Sequence, residues 1–393
     1  GPEIGGLLRT GIPEFRLPDD SVAHEIERIL SLGIDVETNH RIDRQALLAL
    51  AQSNDAVLVA TGLQEQRDLR LGLDGTDSVV QGIEFLDHVH RNDVRVDGED
   101  VVVIGGGNTA MDAARSALRL GADSVRVVYR RTRNEMPAIT EEIDEAIEEG
   151  VAIEFLTQPI ALHESPSNGV RRYYQLACRH MQLGEPDESG RRSPVEIPGS
   201  DFELACHRVI LALGQSPDVS VFPEGTEVRE GTALLGLLET PVFAIGDLAT
   251  REGTVAAAIG SGRRSAVHIH NALSGEQVRI TEHADAFRDV DEWCDEVIRA
   301  DAMKLHLFER QAATTSDSLD IAERRSTFDE VHIGLDDTTE ASRCLSCGVC
   351  NECDLCCTYC PEGVLKRVGH SLSLIHISEP TRPNAPSRMP SSA

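Results

Sequence analysis

The sequence predicts an α/β fold built on a parallel, doubly wound sheet, and three observations carry that prediction. Strand and helix patterns alternate through residues 100–155. The apolar run at 101–104 leads straight into a glycine triplet, Gly105-Gly106-Gly107, that opens a helix. Glycine is abundant (32 residues), while aromatic residues make up only 4% of the 393-residue chain, a balance that suits tight turns and small-residue contacts.

The elements follow in chain order. Residues 1–20 are rich in Gly and Pro and read as irregular. Apolar residues recur at helical spacing over 21–32 until Gly33 stops them, and 34–38 reads as a strand. A second strand over 55–60 ends at Thr61-Gly62. The strand at 100–105 is followed by a helix over 108–120 closed by Gly121, and then by a strand at 124–129. A helix over 140–149 has Thr140 as its expected cap and acids in its first turn, Gly150 ends it, and 151–155 is a strand. Short strand patterns alternate with polar turns over 158–203, a β-rich excursion. The sheet resumes with a buried strand at 207–213. A further strand at 242–245 precedes a helix over 254–273, and the charged stretch 275–340 reads as a mostly helical connector.

Charge narrows the function classes. The net charge is −29, and of the 37 basic residues only Lys304 and Lys366 are lysines. Such a surface suits either an ordinary acidic protein from a GC-rich gene or one from a salty cytoplasm, where carboxylates hold water and salt screens their repulsion. It is a poor match for nucleic acid, whose phosphates need a basic face. No apolar run approaches the ~18 residues of a membrane span.

Four signatures carry chemistry. The segment 101–110 has the form strand-G-x-G-x-x-A-helix. Gly105 allows the tight turn, Gly107 lets the backbone approach a pyrophosphate at the helix N-terminus beside Asn108 and Thr109, and Ala110 allows close helix packing; this is a dinucleotide fingerprint. The following strand ends Tyr129-Arg130-Arg131-Thr132-Arg133 in place of the acid that would bind a ribose hydroxyl. Guanidinium groups suit a 2′-phosphate through paired, charge-assisted bonds, so Arg130 and Arg131 point to NADPH. Strands 57–60 and 209–212 each end in a small-residue crossover, at Thr61-Gly62 and at Gly214. Strand 242–245 ends in Gly246-Asp247, an acid placed to bond a flavin ribityl hydroxyl.

In this order the signatures resemble the two-dinucleotide-binding-domain flavoproteins, in which an NAD(P) domain is inserted into an FAD domain. Residues 5–18 (GGLLRTGIPEFRLP) and 129–138 (YRRTRNEMPA) are similar to segments of the glutamate-synthase small-subunit group, and 328–331 and 340–344 to the approach to its cysteine module. The resemblance covers roughly residues 1–365. It places Thr61, Gly62, Gly246, Asp247, Gly253 and Thr254 on the FAD side and Gly214 at the crossover after the NADPH domain. It implies a partial FAD-binding domain over 1–78, an NADPH-binding domain over 79–214 with the excursion at 158–205, the return of the FAD-binding domain over 215–275, a connector over 276–340 and a ferredoxin-like segment over 341–368. The family's own first FAD fingerprint has no counterpart before Gly1, so the chain is expected to begin inside that domain.

Seven of the ten cysteines lie between Cys344 and Cys360, a ligand pattern rather than a disulfide framework. Cys350, Cys353, Cys356 and Cys360-Pro361 fit the ferredoxin run C-x2-C-x2-C-x3-C-P, which implies a 4Fe–4S cluster, with Cys344 and Cys347 as alternative ligands. Zinc would take two separated pairs, and the continuous spacing argues against it. Thiolate ligands need a reducing compartment, hence a cytoplasmic protein. Cys178, Cys206 and Cys294 stand alone. His88, His90, His268 and His270, spaced i, i+2 within predicted helices, do not share a face, and Glu141, Glu142, Asp144 and Glu145 read as a solvated helix face. Residues 372–382 resemble the in-frame translation of a sequencing adaptor, so 369–393 is expected to be a non-native tail.

The chemistry implied is oxidation of NADPH through FAD to an iron–sulfur cluster and an electron-accepting protein, with no catalytic side chain required. The acceptor is either a glutamate-synthase large subunit or a ferredoxin or other dehydrogenase. A non-catalytic nucleotide-binding redox scaffold is the alternative of another class.

Overall fold

The inner strands of the central sheet carry short buried apolar runs, as at Val101–Ile104 and Val209–Leu211, because both of their faces are covered. The computed structural model describes residues 1–73, 78–165, 172–187, 190–226, 228, 240–275 and 316–334, together with the backbone of 365–368 and 371–374. In chain order the first elements are α1 (Leu7–Thr10), α2 (Asp19–Leu30), α3 (Arg44–Ser53), β1 (Val57–Val59), β2 (Glu65–Gln66), β3 (Val79–Gln81), α4 (Gly82–His90), β4 (Asp100–Ile104), α5 (Asn108–Arg119) and β5 (Ser124–Val128). A 3-10 turn at Arg133–Glu135, α6 (Thr140–Glu148), β6 (Ala152–Glu154), β7 (Thr157–Ser165), β8 (Tyr173–Pro186), β9 (Arg192–Cys206), β10 (Arg208–Leu211) and β11 (Gln215–Ser216) follow. The chain continues with β12 (Val242–Ala244), α7 (Asp247–Thr250), α8 (Val255–Ser274), β13 (Asp317–Ser318), α9 (Ile321–Arg324), β14 (His332–Gly334), β15 (Leu365–Val368) and β16 (Ser371–Leu374).

The chain forms two units: residues 1–41, 66–215 and 316–334 in the first, and 42–65, 216–315 and 335–393 in the second. In the first, β3-β10-β4-β5-β6 form a wholly parallel sheet. Its two faces are read directly from alternation. Val101, Val103, Val125, Val127 and Ile210 pack with α4, α5 and α6 through Phe85, Met111, Ala114 and Ile143. Val102, Ile104, Val128, Val209 and Leu211 turn the other way, onto Leu162, Tyr174, Leu176, Cys178, Leu204 and Cys206 of an antiparallel β7-β8-β9 meander. The α/β class holds, but the second face is covered by this meander where a doubly wound sheet would carry helices. In the second unit β1 pairs in parallel with β12, over a core of Leu47, Ala51, Val59, Phe222, Val242, Ala244 and Leu248.

Several expectations are corrected. Residues 34–38 form no strand: Ile34 and Val36 are exposed, and no strand among the described residues offers them a ladder. Thr140 does not cap α6; Ile139 occupies the cap position, without a side-chain bond. The excursion is three long strands of 9, 14 and 15 residues rather than a series of short ones. Of the connector, the described part 316–334 is mainly strand and loop with one four-residue helix. It belongs with the first unit, as do residues 1–41.

The acidic helix is the largest correction. Arg115 and Arg119 of α5 are both at 0% side-chain exposure, and each makes a bidentate pair with the fully buried Glu149. Arg115 also meets Glu142 at 2.6 Å and Glu145 at 2.8 Å. Arg16 reaches Asp112 with both oxygens at 2.9 Å and Glu142 at 2.6 Å. The Phe15 ring lies 3.9 Å from the Arg119 guanidinium carbon and 4.7 Å from that of Arg115. Glu142 and Glu145 are therefore partners of buried arginines. Sequence reading missed this because the arginines lie some thirty residues away on another helix.

The backbone of β15 and β16 pairs as an antiparallel hairpin, which reaches into the expected non-native tail. The seven clustered cysteines and Cys294 lie outside the described residues.

Candidate functional site

The parallel sheet reverses its order between β4 and β10: from β4 the chain runs outward through β5 and β6, then returns to place β10 on the other side of β4. The crevice beyond the carboxyl ends of two such strands is where open α/β sheets take ligands. Gly105 and Ala212 stand at those ends. The Ala212 N–H donates to Ile104 O at 2.8 Å, and the Gly105 N–H donates to Val128 O at 3.1 Å. Gly105 has φ +149°, and a Cβ there would lie 2.1 Å from the Ala212 carbonyl oxygen, so only glycine fits.

The neighbouring glycines differ. A Cβ on Gly106 would press to 2.5 Å against the Tyr129 ring, whereas one on Gly107 would meet nothing nearer than Pro137 Cγ at 4.0 Å. The backbone at Gly107 is thus open on the side where α5 begins. Helix starts leave their first N–H groups without intrahelical acceptors, which with the helix dipole makes a seat for an anion. Ala110 is fully buried, as close helix packing requires. Thr109 sits against the start of α4, its methyl 3.2 Å from where a Cβ on Gly82 would be.

The arginine-bearing loop after β5 is locked to this glycine loop. The Tyr129 hydroxyl donates to Glu135 O at 2.6 Å. The Glu135 carboxylate accepts from the Thr132 N–H at 3.1 Å and from its hydroxyl, a capping box around the 3-10 turn. The Ala138 N–H donates to Gly106 O at 3.1 Å, and the Ile139 N–H donates to Asn108 Oδ1 at 2.9 Å. The sequence-predicted residues Gly105, Gly107, Asn108, Thr109, Ala110, Arg130 and Arg131 therefore gather at one end of the sheet, and Gly214 lies just beyond β10. The two arginines differ in setting. Arg130 is exposed, and among the described residues no ion pair engages it. Arg131 is 6% exposed and committed to Asp187 and to the Arg192 carbonyl. Gly106, Tyr129, Glu135 and Asp187 were missed. The middle glycine of the triplet, with an aromatic just after the next strand, was the signal for the first two.

In the second unit, parallel pairing brings the carboxyl ends of β1 and β12 side by side, and with them Thr61-Gly62 and Gly246-Asp247. Gly62, Gly246 and Gly253 all have φ between 61° and 69°. Ser261 Oγ accepts from the Gly246 N–H at 2.9 Å, and Asp247 Oδ1 accepts from the Gly253 N–H at 2.9 Å. Thr254 caps α8, its hydroxyl accepting from the Ala257 N–H at 3.2 Å. Asp247 thereby ties the end of β12 to the start of a 20-residue helix.

Other candidate groups lie elsewhere. His88 faces Asp93 and Glu84, His90 pairs with Asp19, and His268 and His270 lie on α8. Among the described residues no group of three or more His, Cys, Asp or Glu could hold a metal ion. Cys178 and Cys206 are buried in the core, where desolvation pushes each thiol up to about 12 and keeps it protonated. No described helix is long and apolar enough to cross a membrane.

Fold and site together define a nucleotide-binding α/β protein of the flavoprotein-reductase kind. The chain belongs to the pyridine nucleotide-disulphide oxidoreductase family, whose sequence profile matches residues 20–262. It is 37% identical over 362 residues to the NADP(+)-dependent formate dehydrogenase subunit beta of Moorella thermoacetica, covering 88% of this chain and 50% of that one. It is 34% identical over 290 residues to the glutamate synthase [NADPH] small chain of Azospirillum brasilense, covering 68% of this chain and 59% of that one. The chain thus spans about half the length of the curated relatives it matches. The solved structure of FprA from Mycobacterium tuberculosis shares the fold at a TM-score of 0.52 and 19% identity, covering 73% of this chain and 80% of that one.

Proposed function

We propose that this chain is part of an NADPH-oxidising flavoprotein that passes electrons through FAD and a 4Fe–4S cluster to a partner subunit. The observation that carries the reading is the open glycine turn at Gly107 joined directly to a loop presenting Arg130. The α5 N-terminus and Gly107 would hold the pyrophosphate, and Arg130 the 2′-phosphate. In the second unit Thr61, Gly62, Gly246, Asp247 and the start of α8 would bind FAD. The small residues fit a closely approaching ligand, because a Cβ on Gly62 or Gly253 would meet nothing within 4 Å and one on Gly246 only Ala258 Cβ at 4.0 Å. The Asp247–Gly253 bond fixes that loop before any ligand arrives. Cys350, Cys353, Cys356 and Cys360, with Cys344 and Cys347 as alternatives, would hold the cluster; their spacing supports this. Hydride acceptance and single-electron release are the chemistry of FAD itself. The protein's part is to bind and orient, so no side chain is assigned an acid or base role. The names of the relatives as subunit beta and small chain support a partner subunit that receives the electrons.

The test is a visible spectrum of the chain reconstituted anaerobically with FAD, iron and sulfide, before and after NADPH or NADH. Bleaching of the flavin band by NADPH in preference to NADH is expected, and Arg130→Asp should remove the preference. A bound flavin that NADPH leaves unchanged would refute the reading.

A further inference from the structure

We propose that Arg131 is a positioning residue, not a phosphate ligand: it clamps the ends of β8 and β9 to the arginine loop, making that hairpin part of the device that selects the coenzyme. The inference rests on the assignment of the 2′-phosphate to this loop and goes beyond it by separating two adjacent arginines that the sequence presents as equals.

The separation begins with direction. Successive residues leaving β5 point to opposite sides, so that Tyr129 and Arg131 are buried while Arg130 between them is exposed. Only Arg130 offers a guanidinium that a dianion can reach without displacing an existing partner. Arg131 has its partners already. Its Nη2 lies 2.6 Å from Asp187 Oδ2, and its Nε donates to Arg192 O at 2.7 Å. A phosphate drawn to this guanidinium would have to settle against the Asp187 carboxylate, and that repulsion opposes binding.

The two bonds are placed to brace the loop. Asp187 stands at the end of β8 and Arg192 at the start of β9, so one guanidinium grips both strands. Asp187 also accepts from the Arg191 N–H at 3.2 Å through Oδ1, and its own N–H donates to Arg191 O at 2.7 Å. Arg192 donates from its guanidinium to the Leu183 and Gly184 carbonyls, each at 3.0 Å. The hairpin end is therefore cross-tied before it meets Arg131. On the arginine loop, the capping box, the Tyr129 hydroxyl and the Ala138 and Ile139 amides fix residues 132–139. The side chain of Arg131 secures the portion next to Arg130. The backbone beside Arg130 is tied to the sheet by the Leu156 N–H donating to Arg131 O at 3.1 Å and the Thr157 N–H donating to Tyr129 O at 3.0 Å. Without the Arg131 side chain the loop loses its tie to the hairpin, and part of the order Arg130 needs to grip a phosphate is paid at binding.

The experiment is calorimetric titration of the full chain with 2′,5′-ADP, which carries the 2′-phosphate, and with 5′-AMP, which does not. Wild type should prefer 2′,5′-ADP, and Arg130→Gln should bring the two ligands level. Arg131→Gln and Asp187→Asn should each weaken 2′,5′-ADP by about 3- to 10-fold, the worth of a hydrogen bond, with 5′-AMP unchanged. The double variant should be no worse than Arg131→Gln alone, since loss of the guanidinium already removes both bonds of the clamp. Asp187 is part-exposed on the hairpin, so its substitution spares the core and keeps the test available even if the Arg131 variant folds poorly. The decisive contrast is Asp187→Asn. If it tightens 2′,5′-ADP binding or leaves it unchanged, Asp187 is not part of a clamp and the proposal is overturned. A wild-type chain with no preference between the ligands would overturn the NADPH assignment itself, and the clamp with it.

Discussion

The tightest demand in the structure falls on single atoms of the glycine triplet. Gly105 and Gly106 both exclude a side chain, but for different neighbours: a backbone carbonyl in the first case, an aromatic ring in the second. The Ala212 carbonyl belongs to backbone fixed by its N–H bond to Ile104 O and has little room to give way, whereas a ring can turn. Gly106→Ala should therefore fold, lose roughly 1–3 kcal/mol to overpacking, and displace Tyr129 from its bond to Glu135. Tyr129→Leu alone should also destabilise, by removing that bond and part of the packing. Combined with Gly106→Ala it should cost less than the sum, because the clash disappears with the ring. Thermal denaturation of the three variants checks this, and strict additivity would show that ring and glycine do not press on each other. The triplet was legible in the sequence because the need for glycine is local. The neighbour that presses on Gly106 lies just past β5, and only the fold reveals it.

At the scale of elements, α5 is the hinge of the first unit's organisation. Its N-terminus faces the crevice at the carboxyl ends of β4 and β10, and its flank carries Asp112, Arg115 and Arg119 into a buried ionic cluster with Glu149, Glu142 and Arg16. The cluster also reaches the segment at 316–334, where Arg119 donates to Thr327 O at 3.1 Å and Phe328 lies 6.2 Å from Phe15, centroid to centroid. This is why residues 1–41 and 316–334 join the unit of the parallel sheet although they are far from it in sequence. Patterns of hydrophobicity foretold the alternating strands and helices from β4 to β6, since those depend on a residue's neighbours in the chain. They could not foretell the cluster: its bonds join residues 96 apart, as in Arg16–Asp112, and 34 apart, as in Arg115–Glu149, and an acidic helix flank looks the same whether it meets water or arginine. Glu149→Gln should be severe for the same reason. It leaves two fully buried guanidinium groups short of charge, a loss of about 3–5 kcal/mol when one partner of a buried pair is removed. Urea unfolding would measure it, and a loss under 1 kcal/mol would mean that water or the remaining carboxylates compensate.

For the whole molecule the balance of charge sets how stability follows pH. The chain carries 66 acidic residues against 37 basic ones, so self-repulsion grows as carboxylates ionise, and stability should sag toward alkaline pH on that account alone. The buried cluster adds two sharper contributions of opposite sign. Burial pushes the Asp112 carboxyl up to about 7, with Arg16 opposing only in part. A carboxyl whose folded pKa exceeds its unfolded value of about 3.9 contributes stability that is complete below that value and lost as the pH rises through about 7. Burial also pushes Glu149 up, but its bonds to Arg119 and Arg115 outweigh this and hold it below the ordinary carboxylate range. Its contribution is present above an unfolded pKa of about 4.3 and disappears as the pH falls further. Stability should therefore peak just above pH ~4 and decline from there to about pH 7, where the Asp112 contribution is lost. Asp112→Asn separates the buried carboxyl from the diffuse surface effect, since it abolishes one titration and leaves the other carboxylates in place. Measured by denaturant midpoint across that range, the variant should show a distinctly flatter decline than the wild type. Equal slopes would assign the whole dependence to the surface charge and remove Asp112 from the account.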